Sequence, residues 1–276
     1  MLEYRHATIG YRGGAVLRDV SAAFPTGTIT AVVGPNGCGK STLIQCLIGA
    51  SSILGGDVLL DGKPLLSYPR RVRARSLAYL PQTRTSLPAI PVRLLVEHGR
   101  FPYMGLCRKK SAEDQRAIQA AMEATGVDAF AEQRVDTLSG GVRQRAFLAM
   151  LLAQDTPLLV LDEPTAYLDI RAQVEFLALV QSLRQKGKTV ILVLHDLNQA
   201  AQTADRVLLM AARSILAAGR PCDCLTEGAI TSAFGVRCIR RKQDGALYWH
   251  FAIPAAAESC TGNPQETEFR KNRESR

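Results

Sequence analysis

Gly34 to Thr42, GPNGCGKST, holds residue types that bind phosphate, at the spacing G-x-x-x-x-G-K-[ST]. Gly34, Gly39, Lys40 and Ser41 fill the defining positions, with Pro35, Asn36, Gly37 and Cys38 between them and Thr42 after. Glycines let backbone N–H groups turn inward with no Cβ in the way, which makes an anion-binding hollow. A helix starting at the end of the loop adds partial positive charge where phosphate would sit. Lys40 can then reach β- and γ-phosphates, and the Ser41 hydroxyl can ligate Mg²⁺. These residues imply a nucleoside triphosphate site.

Other stretches supply what such a site needs. Asp162 and Glu163 close the apolar run PLLVLDEP. An acid at the exposed end of a parallel strand is where Mg²⁺ beside a phosphate loop is held. Asp162 suits that role through a coordinated water, and Glu163 suits a base or an orienting group for attacking water. His195 ends TVILVLHD. Alone it reads as structural; beside a nucleotide, a neutral imidazole could bond the γ-phosphate or the attacking water. In LSGGV, Ser139, Gly140 and Gly141 open a second helix and so offer a second place for an anion. Tyr11 reads as a strand tyrosine, or as an exposed ring that could stack on a purine. Gln82 stands at the exit of SLAYLPQ.

The elements that must position these groups follow from patterning. LEYRHATIGY, a turn at Gly13-Gly14 and AVLRDVSAAF form an antiparallel start over Met1 to Thr26. Thr28 to Val33 reads as a buried strand. Ser41 to Ala50 reads as a helix with Leu43, Ile44, Leu47 and Ile48 on one face. Gly55-Gly56 opens a hairpin whose turn is Asp61-Gly62. The stretch from about Thr83 to Val135 is helical and interrupts the α/β pattern. Within it, Ser111 and Asp114 form a capping box, Gly126 closes the helix, and Ile118, Ala121, Met122 and Thr125 make its apolar face. Another helix starts at Asp169, with Ile170, Val174, Leu177 and Val180 along one side and Gly187 at its end. DRVLLMAARSILAAG gives two short strands with a turn near Arg213. The polar residues from about Ala255 cannot bury a core and read as a disordered tail.

Composition narrows the class. With 47% hydrophobic residues in 276, a sizeable core can form. No apolar run approaches the roughly 18 residues of a membrane helix, and the start lacks a signal-peptide core. A soluble chain in the cytoplasm is expected. Seven scattered cysteines, an odd number, argue against a disulfide framework. Cys222 and Cys224 have no second cysteine or histidine pair near them in sequence to complete a metal site. The net charge of +9 includes clusters at Arg70, Arg71, Arg73 and Arg75, at Arg108 to Lys110 and at Arg240 to Lys242. They read as solvated faces, since no aromatic-interleaved basic stripe or DNA-binding helix accompanies them.

The order Tyr11, GPNGCGKST, Gln82, LSGGV, LLVLDEP, AYLD and His195 resembles the nucleotide-binding subunit of ABC transporters, from Tyr4 to about Val236. The resemblance implies an α/β P-loop NTPase with a RecA-like core, an N-terminal antiparallel β subdomain and an inserted helical subdomain. The ATPase domain would span 1–238, with the helical part at about 83–150, a C-terminal extension at 239–254 and a disordered tail at 255–276. It implies ATP and Mg²⁺, with Tyr11 on adenine, Gly34 to Thr42 on the phosphates, and Ser41, Gln82 and Asp162 at the metal. Glu163 would be the catalytic carboxylate, Gln82 would also contact the attacking water, and His195 would be the switch histidine. Ser139, Gly140 and Gly141 would bind the γ-phosphate held by a second copy, with Asp169 as the D-loop acid. Val142 departs from the pattern, which has glutamine there, and that bears on ribose contacts and rate.

VEHGRFPYMG, VDTLSGG and VLHDLNQAAQTADRV are most similar to the branch that serves type II importers of ferric siderophores, with haem and cobalamin importers next. The implied assembly is a homodimer under two integral-membrane permease subunits, at the cytoplasmic face of the inner membrane. A periplasmic or lipid-anchored solute-binding protein takes part indirectly, and nucleic acid is not an expected partner. In Val92 to Met104, Leu94, Leu95, Val96, Arg100, Phe101 and Tyr103 would line the permease groove. The rival is a soluble ABC-type ATPase acting on nucleic acid or the ribosome. Those carry two cassettes or long coiled-coil insertions, and this sequence has neither.

Overall fold

Two sheets and a group of helices share two apolar cores. The computed structural model describes residues 1–82, 89–104, 110–243 and 246–252. The chain begins with strands β1 (Leu2–Tyr11) and β2 (Gly14–Phe24), joined by a two-residue turn at Arg12-Gly13. The turn lies one residue before the expected Gly13-Gly14, because Gly14 already pairs with Tyr11. Strand β3 (Ile29–Val33) then leads through the glycine loop to helix α1 (Lys40–Gln45). That helix is shorter than expected. A 3-10 turn at Cys46–Ile48 and a left-handed Gly49 end it, which leaves Ile48 exposed while Leu43, Ile44 and Leu47 are buried. Strand β4 (Ser52–Leu60) and the short β5 (Lys63–Pro64) flank the Asp61-Gly62 turn. Both turn residues have positive φ, as a two-residue hairpin of this twist requires. The first sheet is antiparallel, in the order β2-β1-β4-β5.

The basic stretch after it forms helix α2 (Arg70–Ser76), followed by β6 (Leu77–Leu80). Helices α3 (Val92–His98), α4 (Ala112–Thr125) and α5 (Gly140–Ala153) come next. The α4 expectations hold in detail. Ser111 and Asp114 close a reciprocal capping box, Gly126 ends the helix in the left-handed region, and Ile118, Ala121, Met122 and Thr125 are buried. Helices α3 and α4 are held to the end of α5 by Arg100, which is buried. Its Nε donates to Asp114 Oδ1 at 2.8 Å, its Nη1 donates to the Ala153 carbonyl at 2.9 Å, and its guanidinium lies 3.9 Å from the Tyr103 ring centroid. Leu95 and Val96 are buried beside it. These three cannot meet a permease as expected; of that stretch Leu94 and Phe101 are exposed.

Beyond α5 the chain alternates: β7 (Leu158–Asp162), α6 (Ile170–Gln185), β8 (Thr189–Val193), α7 (Leu197–Thr203), β9 (Arg206–Ala211) and β10 (Ser214–Gly219). The second sheet runs β10-β9-β3-β8-β7-β6, parallel except for the β9–β10 hairpin. Its inner strands are buried on both faces, as parallel strands covered on both sides must be. Ile29, Ala31 and Val33 face the core shared with the helices, while Val32 faces the core shared with the first sheet and α1. Helix α6 buries only the later part of the expected face. Phe176, Leu177, Val180 and Leu183 are buried, whereas Ile170 and Val174 are 82% and 63% exposed.

Two short helices, α8 (Pro221–Cys224) and α9 (Glu227–Phe234), lead to a hairpin of β11 (Arg237–Gln243) and β12 (Ala246–Ala252). The sequence gives no hint of this hairpin. Buried Trp249 fixes it: Nε1 donates to the Leu225 carbonyl at 2.8 Å, and its backbone exchanges two bonds with the Asn198 side chain on α7. The tail at 255–276, Cys107, Cys260 and Arg108 lie outside the described residues.

Candidate functional site

Four neighbouring strands end at the same edge of the second sheet, and each delivers part of the site. In the order β3-β8-β7-β6 they run into the glycine loop, His195, Asp162-Glu163 and Gln82. Ligands of open parallel sheets bind at this carboxyl edge.

The glycines of the loop are needed sterically. At Gly34 (φ 155°) an added Cβ would lie 2.2 Å from the Met210 carbonyl oxygen, and at Gly39 (φ 101°) 2.5 Å from Leu17 Cδ2. The loop encloses a cleft of about 180 Å³ lined by Asn36, Gly37, Gly39, Lys40, Ser41, Thr42 and Glu163. Lys40 is buried and donates to the carbonyls of Gly34 at 2.8 Å and Pro35 at 3.0 Å. The ammonium therefore sits inside the cradle and can exchange these carbonyls for phosphate oxygens. Tyr11, the last residue of β1, is 41% exposed and stands over α1, donating to Gln45 Oε1 at 2.8 Å.

The paired acids are held differently. Asp162 is buried; its Oδ2 accepts from the Tyr79 hydroxyl at 3.1 Å, while its Oδ1 is buried with no partner among the described residues. Burial pushes its pKa up to about 6, against the opposing pull of the Tyr79 hydrogen bond. An orphaned carboxylate oxygen in a low-dielectric setting is a hard donor suited to Mg²⁺, and Ser41 stands across the adjoining cleft. The donor set therefore fits that ion. Glu163 has a left-handed backbone (φ 50°). Gln82 Nε2 donates to its Oε2, and His195 Nε2 lies 2.6 Å from its Oε1. One carboxylate thus gathers the glutamine and histidine that lie far from it in sequence.

A second cleft, of about 230 Å³, lies where α5 meets the start of α6. Ser139, Gly140, Gly141, Val142, Arg145, Tyr167 and Asp169 line it. Ser139 occupies the N-cap of α5, but its hydroxyl makes no capping bond. Asp169 caps α6 by accepting from the Ala172 amide at 2.8 Å. Val142 is partly buried against the larger core. The predicted residues thus fall into two groups: Gly34 to Thr42 with Gln82, Asp162, Glu163 and His195 in one, Ser139 to Gly141 with Asp169 in the other. Tyr79 and Gln45 belong to the first group and carry no motif. A strand tyrosine with no glycine or acid beside it gives no sequence signal. Among the described residues, no histidine, cysteine or acid group forms a metal-binding set at Cys222 and Cys224.

The ABC transporter family model matches residues 17–166, more than half of the chain. This chain belongs to the ABC transporter family. It is 42% identical to the ferric enterobactin transport ATP-binding protein FepC of Escherichia coli, over 84% of this chain and 86% of that one. It is 39% identical to the achromobactin transport ATP-binding protein CbrD of Dickeya dadantii, over 95% and 96%. Among solved structures, a metal-chelate-type ABC transporter in an inward-facing conformation superposes with a TM-score of 0.78 at 27% identity, covering 91% of this chain and 96% of that one. The family assignment makes the chain an ATP-binding ATPase. Among the described residues no helix is long and apolar enough to cross a membrane.

Proposed function

We propose that this chain is the ATPase subunit of an importer for a ferric siderophore, working as a homodimer beneath separate permease subunits. The substrate class is carried by the named substrates of the relatives, ferric enterobactin first among them, at 42% identity over most of both chains. The likeness to a metal-chelate-type transporter supports it.

In this reading Tyr11 stacks on adenine, and the amides from Gly34 to Thr42 wrap the phosphates. Lys40 trades the Gly34 and Pro35 carbonyls for β- and γ-phosphate oxygens. Ser41, Gln82 and the free Oδ1 of Asp162 would hold Mg²⁺, which when bound neutralises charge that builds on the phosphates. Glu163 orients the attacking water and takes its proton. It first has to release one of its bonds to Gln82 or His195, and His195 is then free to reach the γ-phosphate. The second cleft of a partner copy brings Ser139, Gly140 and Gly141 to the same phosphate, with Asp169 alongside. Most of the rate then comes from positioning and charge stabilisation of an in-line transfer. Closure follows ATP binding, and hydrolysis releases it.

We assign the permease contact to a groove of about 490 Å³ lined by Leu47, Ile48, Arg70, Arg73, Ala74, Leu77 and Tyr79, next to α2. Its apolar floor and two arginines suit an amphipathic, partly acidic helix. The whole assembly would lie at the cytoplasmic face of the inner membrane. The test is cellular. Deleting the gene is expected to abolish uptake of radiolabelled iron given as a siderophore complex, and Glu163→Gln is expected not to restore it. Intact siderophore uptake with loss of haem or cobalamin uptake would overturn the substrate and leave the ATPase standing.

A further inference from the structure

Tyr79 lies on β6, one strand from Asp162, and opposite Val160 of β7 in the register. Its hydroxyl donates to Asp162 Oδ2 at 3.1 Å, and the Gln45 side chain lies near its oxygen. Gln45 is the last residue of α1, and its Oε1 accepts from the Tyr11 hydroxyl at 2.8 Å. Counting protons fixes the direction of this chain. An ionised carboxylate donates nothing, so the single O–H of Tyr79 goes to Asp162. The Tyr79 oxygen is left as an acceptor, and the neighbouring Gln45 amide N–H₂ is a donor suited to it. That leaves Gln45 Oε1 as an acceptor for the single O–H of Tyr11. The two outer bonds therefore point the same way, from the exposed tyrosine toward the buried acid.

The end of the chain matters most. A carboxylate with no partners can turn about its last torsion or swing toward nearby cations, and Lys40 and His195 are both close enough to act on Asp162. With Oδ2 held by Tyr79, rotation is checked and Oδ1 remains the oxygen without a partner. Groups that hold a metal-binding carboxylate in place tune its affinity, and their loss typically costs about 10–100-fold.

We propose that Tyr79 is a positioning residue for the Asp162 carboxylate, and that the chain Tyr11–Gln45–Tyr79–Asp162 ties the platform for the nucleobase to the oxygen that receives the metal. This rests on the reading of Asp162 and Tyr11 given above. Base and metal are then bound cooperatively. An adenine seated on Tyr11 steadies its hydroxyl, Gln45 is held by that hydroxyl, and the metal finds its oxygen already aimed. The same Tyr79 also lines the groove assigned to the permease.

The experiment measures how much Mg²⁺ tightens nucleotide binding to the full chain. A fluorescent trinitrophenyl-ATP is titrated in EDTA and again in excess Mg²⁺. Tyr79→Phe keeps the ring and removes the hydroxyl. Its affinity in EDTA is expected to stay within about twofold, while the gain from Mg²⁺ falls about tenfold, or about 1.4 kcal/mol. Gln45→Met and Tyr11→Phe cut the chain further from the acid, and are expected to lose about two- to threefold of the same gain. They keep the question open to test should Tyr79→Phe fold poorly. A merely structural Tyr79 would weaken both titrations together, and that result overturns the proposal. Asp162→Asn separates the two possible failures. If Asp162→Asn loses the Mg²⁺ gain and Tyr79→Phe keeps it, the positioning role is wrong and the metal assignment stands. If Asp162→Asn keeps the gain, the metal assignment falls and takes the proposal with it.

Discussion

The two clefts of this chain are built on opposite plans. In the first, the chemical groups are already engaged with one another: Lys40 with two carbonyls, Glu163 with Gln82 and His195, and one oxygen of Asp162 with Tyr79. In the second, the Ser139 hydroxyl makes no capping bond, and Tyr167, Ile170 and Val174 stand exposed around Asp169. A group that is already bonded must exchange partners when substrate arrives, so binding there is a swap with a small net gain. An unengaged hydroxyl and exposed apolar side chains gain more when a matching surface covers them. Under the proposed function, the first cleft would take ATP by itself, and the second would contribute when another copy is presented to it.

Substitutions can break this contrast or sharpen it. Glu163→Gln is expected to have the largest effect, a loss of about 10²–10⁴ in ATP turnover with nucleotide binding retained. ATP should then hold the closed dimer long enough to be seen by size-exclusion chromatography. Turnover near normal would remove Glu163 from the chemistry.

Ser139→Arg is expected to cost at least about 10² in turnover, the scale for removing one preorganised donor from developing charge. Nucleotide affinity of the isolated chain should stay within about threefold. Equal losses in both measurements would mean that the second cleft is not reserved for a partner.

Asp162→Asn tests the strain in the first cleft without any ligand. Burial raises this carboxyl from an ordinary 3.8 to about 6. A raised folded-state pKa adds stability below the unfolded value, and that contribution is lost as pH rises through about 6. In EDTA and without nucleotide, the native chain should lose up to about 3 kcal/mol through this group between pH 4 and pH 7. The asparagine variant should lack that slope and be the more stable one at pH 8. Denaturant melts at both ends of the range decide it; parallel curves would mean that Asp162 is not destabilised by burial.

Val142→Gln is expected to have the smallest effect, less than about tenfold in turnover, or about 1.4 kcal/mol of barrier. The hydroxyl and amides at Ser139 to Gly141 need nothing from position 142. Restoration of activity to an otherwise inactive chain would instead identify a degenerate cassette.

Motif residues were legible because chemistry constrains both their type and their spacing. The glycine loop, Gln82, the paired acids and His195 meet at one sheet edge, as their places at strand ends imply. Tyr79 and Gln45 were invisible because their role depends on which strands are neighbours, which no local pattern records. Helix α6 shows another limit. Ile170 and Val174 have the right period with Leu177 and Val180, yet the core reaches only the later turns, and periodicity does not say where a core stops. Arg100 was read as a surface contact because arginine is rarely buried, and the partners supplied by Asp114 of α4 and the Ala153 carbonyl of α5 make its burial possible. The C-terminal hairpin escaped notice because β11 is half charged and is held by Trp249, a tertiary anchor.

Strand β3 carries the phosphate loop, and its two neighbours in the sheet are β8 and β9. Both lie more than 150 residues further along the chain. On the ribosome, the strand that bears the loop therefore emerges early and waits with both edges unpaired. At about 5–20 residues per second, the wait is of order 10–30 s. Through that interval the growing polypeptide exposes an apolar strand that invites wrong pairing. Fusing a rapidly folding partner to the amino end would not shorten it, since the missing strands are supplied by codons still untranslated. Slowing elongation between β7 and β8 should lower the yield of folded chain more than the same delay placed after β9.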